Sequence, residues 1–126
     1  MKELNKLNIQ GLDKQGVYKI FFYKNEKPFP INRILKVDET GLIYIGCTKK
    51  QGFEKRLNDF ILSMKNQKTI NHPGGNKIFK NKSLKDFFSD GKIMFEVFEC
   101  FNPLDEEFNL IINYISEYGE KPPLNG

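Results

Sequence analysis

Apolar and polar positions follow two rhythms along this chain, and the change of rhythm marks its elements. Gly16 to Tyr23 (GVYKIFFY) and Leu42 to Cys47 (LIYIGC) are nearly unbroken apolar runs rich in β-branched and aromatic residues, which predicts two strands. Neither run alternates as a half-exposed strand does, so both faces of the sheet are expected to lie under helices. Ile93 to Cys100 (IMFEVFEC) predicts a third strand. Lys24 to Pro30 (KNEKPFP), with two prolines, reads as a loop, and Arg33 to Val37 (RILKV) as a short strand. The stretch 24–37 is therefore an insertion expected to carry an extra strand or a hairpin.

Helical spacing takes over after Cys47. Phe53, Leu57, Phe60, Ile61 and Met64 form one stripe and predict a helix over Gln51 to Lys65. His72-Pro73-Gly74-Gly75 interrupts the chain. A second, more basic helix is expected over Asn76 to Ser89, with Gly91 as its C-terminal cap. Asn102 or Asp105 caps a last helix whose inner face is expected to be Leu104, Phe108, Ile111, Ile112, Ile115 and Tyr118, with Gly119 ending it. Lys121 to Asn125 closes as an extended tail. The pattern predicts one domain over 1–126, an α/β sandwich with a small, mostly antiparallel three-stranded sheet flanked by about three helices.

Composition narrows the class. A chain of 126 residues with 39% hydrophobic and 29% charged residues suits one soluble globular domain. No apolar run approaches the ~20 residues that span a bilayer. Met1 to Gln10 is polar and unlike a signal peptide, so a cytoplasmic protein without membrane association is expected. Cys47 and Cys100, both in apolar strand-like runs, read as buried free thiols. With one histidine and no CxxC pair, a structural zinc site is not expected.

The net charge of +4 is unevenly spread. Lys49 to Lys85 holds 10 basic and 2 acidic residues, whereas Asp86 to Gly126 holds 2 basic and 9 acidic ones. The basic block is either the footprint of a polyanion or a solvated lysine-rich surface.

Two charges interrupt helical stripes that should be apolar. Arg56 lies three residues after Phe53 and four before Phe60, at the border of the first helix's stripe. Glu107 lies three after Leu104 and four before Ile111, beside Tyr114 and Tyr118; Glu106 is turned about 100° away toward water. A charge at the edge of a core is costly unless paired, liganded or exposed in a cleft. Arg56 and Glu107 either pair with each other, extend outward on their stems, or serve a site.

Taken together, these residues resemble the GIY-YIG endonuclease family. Gly16-Val17-Tyr18 stands at the place of the first triad and Tyr44-Ile45-Gly46 at that of the second. Arg56 (in GFEKRL), Glu107 (in EFNLI) and Asn125 (in PPLN) match the family arginine, glutamate and terminal asparagine. The similarity runs from Gly16 to Asn125. It implies a small stand-alone nuclease domain that hydrolyses DNA phosphodiesters with one divalent ion, Mg2+ or Mn2+. By that resemblance Glu107 holds the metal, and Tyr18 is the general base or orients the attacking water. Tyr44 positions phosphate or water, Arg56 stabilises charge on the scissile phosphate, and Asn125 supports the site.

The residue types suit this chemistry. A hard cation takes carboxylate oxygen and keeps several waters, and arginine presents a planar fork to phosphate. A tyrosine serves as a base only if a nearby cation lowers its pKa of ~10. Gly46 is expected to let a phosphate approach the backbone; the alternative for Gly16 and Gly46 is a turn or bulge. His72 resembles a histidine that some members carry near the site, and otherwise reads as a surface-loop residue. Lys49, Lys50, Lys55, Lys77 and Lys80 are expected to contact DNA phosphates.

The chain departs from the pattern in two places. Twenty-five residues separate Tyr18 from Tyr44, more than in many members, and Phe60 occupies a position where relatives place Tyr or His. No second DNA-binding domain accompanies the motifs, so specificity would come from this domain or a protein partner. The alternative function is a non-catalytic nucleic-acid-binding module that keeps the nuclease fold.

Overall fold

In this computed structural model, which describes residues 1–65 and 72–126, a nine-residue strand runs through the middle of the sheet. In chain order the elements are β1 (Lys2–Glu3), α1 (Lys6–Ile9), β2 (Gly16–Lys24), β3 (Lys27–Pro28), β4 (Ile31–Asn32), β5 (Val37–Asp38) and β6 (Leu42–Cys47). They continue with α2 (Phe53–Lys65), α3 (Pro73–Lys80), α4 (Lys82–Ser89), β7 (Lys92–Glu99) and α5 (Pro103–Tyr118). β2 pairs antiparallel with β7 on one edge and with β6 and β3 on the other, and β1 extends the sheet beyond β7. Every pairing is antiparallel. The α/β architecture with a helix-covered sheet is as the sequence predicts, with three long strands, two two-residue strands at the margins and five helices among the described residues.

Both sheet faces are buried. Tyr18, Ile20, Phe22, Ile43 and Tyr44 pack with α2, α3 and α4 residues such as Phe53, Leu57, Phe60, Ile78 and Phe88. Phe21, Leu42 and Ile45 pack on the opposite face with Tyr114 and Tyr118 of α5. A register shift between Ile20 and Phe21 pairs Ile20 with Tyr44 but Phe21 with Leu42, leaving Ile43 as the extra residue of a bulge. The bulge sets Tyr44 on the face of Tyr18 while Leu42 stays under α5.

The insertion resolves as hairpins. Asn25 and Glu26, at φ of 54° and 64°, make the tight two-residue turn between β2 and β3. Of the segment Arg33–Val37 only Val37 lies in a strand; β4 and β5 pair as a small separate hairpin whose turn is Arg33–Lys36. It is fixed by Asp38, fully buried, whose carboxylate accepts from the Tyr114 hydroxyl at 2.7 Å and from Thr40.

Four further expectations change. The helix predicted over Asn76–Ser89 is two helices that begin at Pro73, because Asn81 ends α3 and its side chain caps α4 by accepting from Leu84 N. His72-Pro73-Gly74-Gly75 starts a helix instead of breaking one; proline is tolerated in the first turn. Asp90, not Gly91, is the C-cap of α4, and Gly91 is required by close approach to the Tyr23 carbonyl. Cys47 is buried and free, while Cys100 is only half-buried because it lies beyond the end of β7.

The largest correction concerns α5. Leu104, Phe108 and Ile112 are exposed at 70%, 64% and 44%. The face toward the sheet carries Leu110, Ile111, Tyr114 and Tyr118, and Gly119 ends the helix at φ 86°. Asn102 occupies the N-cap without a side-chain bond. No helix among the described residues is long and apolar enough to cross a membrane.

Candidate active site

The two motif glycines are demanded by what stands against them. A Cβ on Gly46 would lie 2.5 Å from the Tyr18 ring and hydroxyl and 2.7 Å from the Tyr44 ring, so the space is filled by phenols and not left open to a phosphate. Gly16 begins β2, where a Cβ would collide with the Phe98 carbonyl, and its N–H donates to Thr48 Oγ1 at 3.0 Å. These close approaches replace the turn or bulge expected for an isolated strand glycine. The cross-strand pair Tyr18–Gly46 brings the two tyrosine rings to a centroid distance of 6.2 Å.

His72 joins this cluster from the first residue before α3. Its ring lies 5.2 Å from that of Tyr44 and 5.0 Å, edge-on, from that of Phe60. Its Nδ1 accepts from the Gly74 and Gly75 N–H groups, so that nitrogen carries no proton. The proton is therefore on Nε2, which donates to the Tyr18 oxygen at 2.8 Å. His72 is fully buried, and Gly74 and Gly75 let α3 sit against Tyr44, Phe60 and Ser63. A histidine that sequence reading left between loop and site is thus bonded to the first motif tyrosine, beside the Phe60 that replaces the usual Tyr or His. Its neighbour Asn71 lies outside the described residues.

Arg56 reaches the cluster from α2. Among the described residues its ion-pair partner is Asp59, at 3.5 Å, and not Glu107. Its Nε is buried and has no hydrogen-bond partner among the described residues. Asp59 also binds Lys55 at 2.7 Å, so Lys55 is not a free cation. Asp59 was missed by sequence reading, although its spacing of three and four from Arg56 and Lys55 marks it as their neighbour on the helix. Lys49, Gln51, Arg56, Asp59 and Pro73 line a small cavity of about 230 Å³. Lys50 and Lys80 are exposed, and Lys77 is half-buried with its ammonium beside Gly126.

Glu107 approaches from α5, the other layer. It is half-buried and its carboxylate acts on the Cys47 thiol. Burial first, then the Glu107 carboxylate, push the thiol up to about 12. Glu107 also acts on both phenols. Burial and then the Glu107 charge raise Tyr44 to about 12, against a lowering by Arg56. Tyr18 is raised well above its ordinary value by burial and by Tyr44, again opposed by Arg56. The guanidinium acts in the expected direction, but burial outweighs it and both phenols stay protonated. Burial and the Arg56 charge lower His72 to about 3, so its ring is neutral.

Tyr18, Tyr44, Arg56 and His72 therefore form one cluster, with Glu107 at its border. Tyr18 and His72 are sealed from solvent, while Tyr44, Arg56 and Glu107 stand nearer the surface. Asn125 does not touch the phenols: its side chain accepts from Ile45 N and donates to Ile45 O, both at 2.9 Å, and so holds β6. Among the described residues no group of three or more His, Cys, Asp or Glu side chains converges to enclose an ion. Glu107 brings one carboxylate to the border of the cluster. No family model matches the chain, and comparison with curated proteins and with solved structures gave no match.

Proposed function

We propose that this protein is a metal-assisted endonuclease that hydrolyses DNA phosphodiesters, as its resemblance to the GIY-YIG nucleases implies. The observation that carries the reading is the packing of both motif tyrosines around Gly46, with Arg56 and Glu107 acting electrostatically on the same two phenols. Arg56 binds the scissile phosphate through the guanidinium it brings to the small cavity that it lines with Lys49 and Asp59, where Asp59 holds its NH1. Glu107 holds the divalent ion, Mg2+ or Mn2+. When bound, that ion supplies Lewis acidity at the phosphate and a more acidic water.

Tyr18 acts as a neutral orienting group in this reading. Its oxygen accepts from His72 and its side chain is sealed from solvent, so it acts by holding Tyr44 and His72 in place and not by touching substrate. Its raised pKa opposes the role of general base. Tyr44, at the outer side of the cluster, positions the phosphate, and Asn125 keeps the strand that carries Tyr44 in place. Lys49 and Lys50 extend the positive surface away from Arg56.

The test is incubation with supercoiled plasmid in magnesium, followed by EDTA. Wild-type protein should nick the plasmid only with metal, and Glu107→Gln and Arg56→Ala should each lower the rate by about 100-fold or more. Nicking by Glu107→Gln at the wild-type rate would remove the assignment. The sealed position of Tyr18 favours one alternative, a nucleic-acid-binding module without hydrolysis. That reading predicts a salt-sensitive DNA complex and no cleavage with any divalent ion.

A further inference from the structure

We infer that the exposed apolar stripe of α5 is the docking face for a cationic amphipathic helix of a protein partner. Leu104, Phe108 and Ile112 follow one another at intervals of four, so their side chains stack along one side of the helix. They are exposed at 70%, 64% and 44%, and Phe101, at the entrance to the helix, is fully exposed. The core takes a different arc of α5, that of Tyr114 and Tyr118. The stripe spans about 12 Å at 1.5 Å per residue, the reach of two to three turns of a docked helix. Large apolar side chains in an uninterrupted row on a soluble domain mark contact surfaces.

Charge selects the occupant. α5 carries Asp105, Glu106, Glu107 and Glu117 and no lysine or arginine. Asp105 and Glu106 are exposed; Glu117 is paired with Lys36 at 2.8 Å. A nucleic-acid backbone is repelled by this surface. A second copy meeting it about a twofold axis would set the carboxylates of two identical helices against each other. A helix with apolar residues at intervals of three and four and lysines beside them satisfies both the stripe and its acidic border. This inference does not depend on the nuclease reading.

The experiment uses the full chain and two synthetic helical peptides with the same leucine spacing, one with lysine at the remaining positions and one with glutamate. The lysine peptide should bind and shift the amide resonances of residues 101–112, and the glutamate peptide should not. Leu104→Ser with Phe108→Ser should weaken binding about tenfold or more. Asp105→Lys, which leaves the apolar stripe intact, should weaken it several-fold at low salt and less at high salt. Equal binding of both peptides, no binding of the lysine peptide, or binding unchanged by either variant overturns the proposal. So does sedimentation showing a dimer that the Leu104→Ser, Phe108→Ser variant dissociates, which would give the face to a second copy.

Discussion

In the His72 ring, Nδ1 faces two backbone amides and Nε2 a phenol, and neither direction has room for a second proton without losing a bond. Protonating Nδ1 would uncap α3 beside the Arg56 charge. The folded state therefore holds this ring neutral, with its pKa lowered from 6.5 to about 3. A depressed histidine contributes stability that is complete above pH 6.5 and is lost as pH falls toward 3, where the unfolded chain binds the proton and the folded one does not. His72→Gln should flatten that part of the stability profile, an effect on the order of a few kcal/mol between pH 7 and pH 4. Urea midpoints across that range measure it. Wild type and variant falling in parallel would assign the acid sensitivity to carboxylates instead.

Asn125 links the residue scale to the element scale, because one amide side chain completes both backbone bonds of Ile45. Asn125→Ala should destabilise the protein by about 1–3 kcal/mol, since it leaves a donor and an acceptor of β6 short of partners. A urea midpoint unchanged by that substitution would show that water replaces the amide without cost. The strands were legible because their apolar runs are unambiguous, and so was the face of α2. Asn81, a strong helix-capping type, was present in the sequence, but a continuous apolar period across it hid the break. The inner face of α5 was misread for a different reason. Leu104, Phe108, Leu110, Ile111, Ile112, Tyr114, Ile115 and Tyr118 cover so much of the helix that periodicity alone does not choose the buried arc. Of the site, the two tyrosines, Arg56 and Glu107 were legible as motif residues. The His72 bond depends on a chain return that no local pattern specifies, whereas Asp59's hold on Arg56 is an i,i+3 pair that the helical spacing does mark.

Across the whole molecule, the uneven charge of the sequence becomes a difference between layers. The basic block 49–85 supplies α2, α3 and the start of α4 on one face of the sheet, and the acidic segment 86–126 supplies β7 within the sheet and α5 on the opposite face. Arg56 belongs to the first layer and Glu107 to the second, so the candidate site lies where the two meet. Under the proposed function, DNA affinity should fall steeply with salt, and Lys49→Glu with Lys80→Glu should lower both the affinity and the salt dependence. Lys92→Glu, on β7, should change neither; equal losses from both variants would mean that DNA has no preferred face. Fluorescence anisotropy over a salt series measures all three.

The bond from Leu124 N to Ile43 O and the two from Asn125 to Ile45 join segments about eighty positions apart. A nascent chain emerging from the ribosome exposes β6 long before residue 125 can reach it. Until then that border is an unpaired template for a strand from a neighbouring polypeptide. Slowing translation of the final stretch, or deleting residues 122–126, should increase the fraction of protein recovered as aggregate during synthesis.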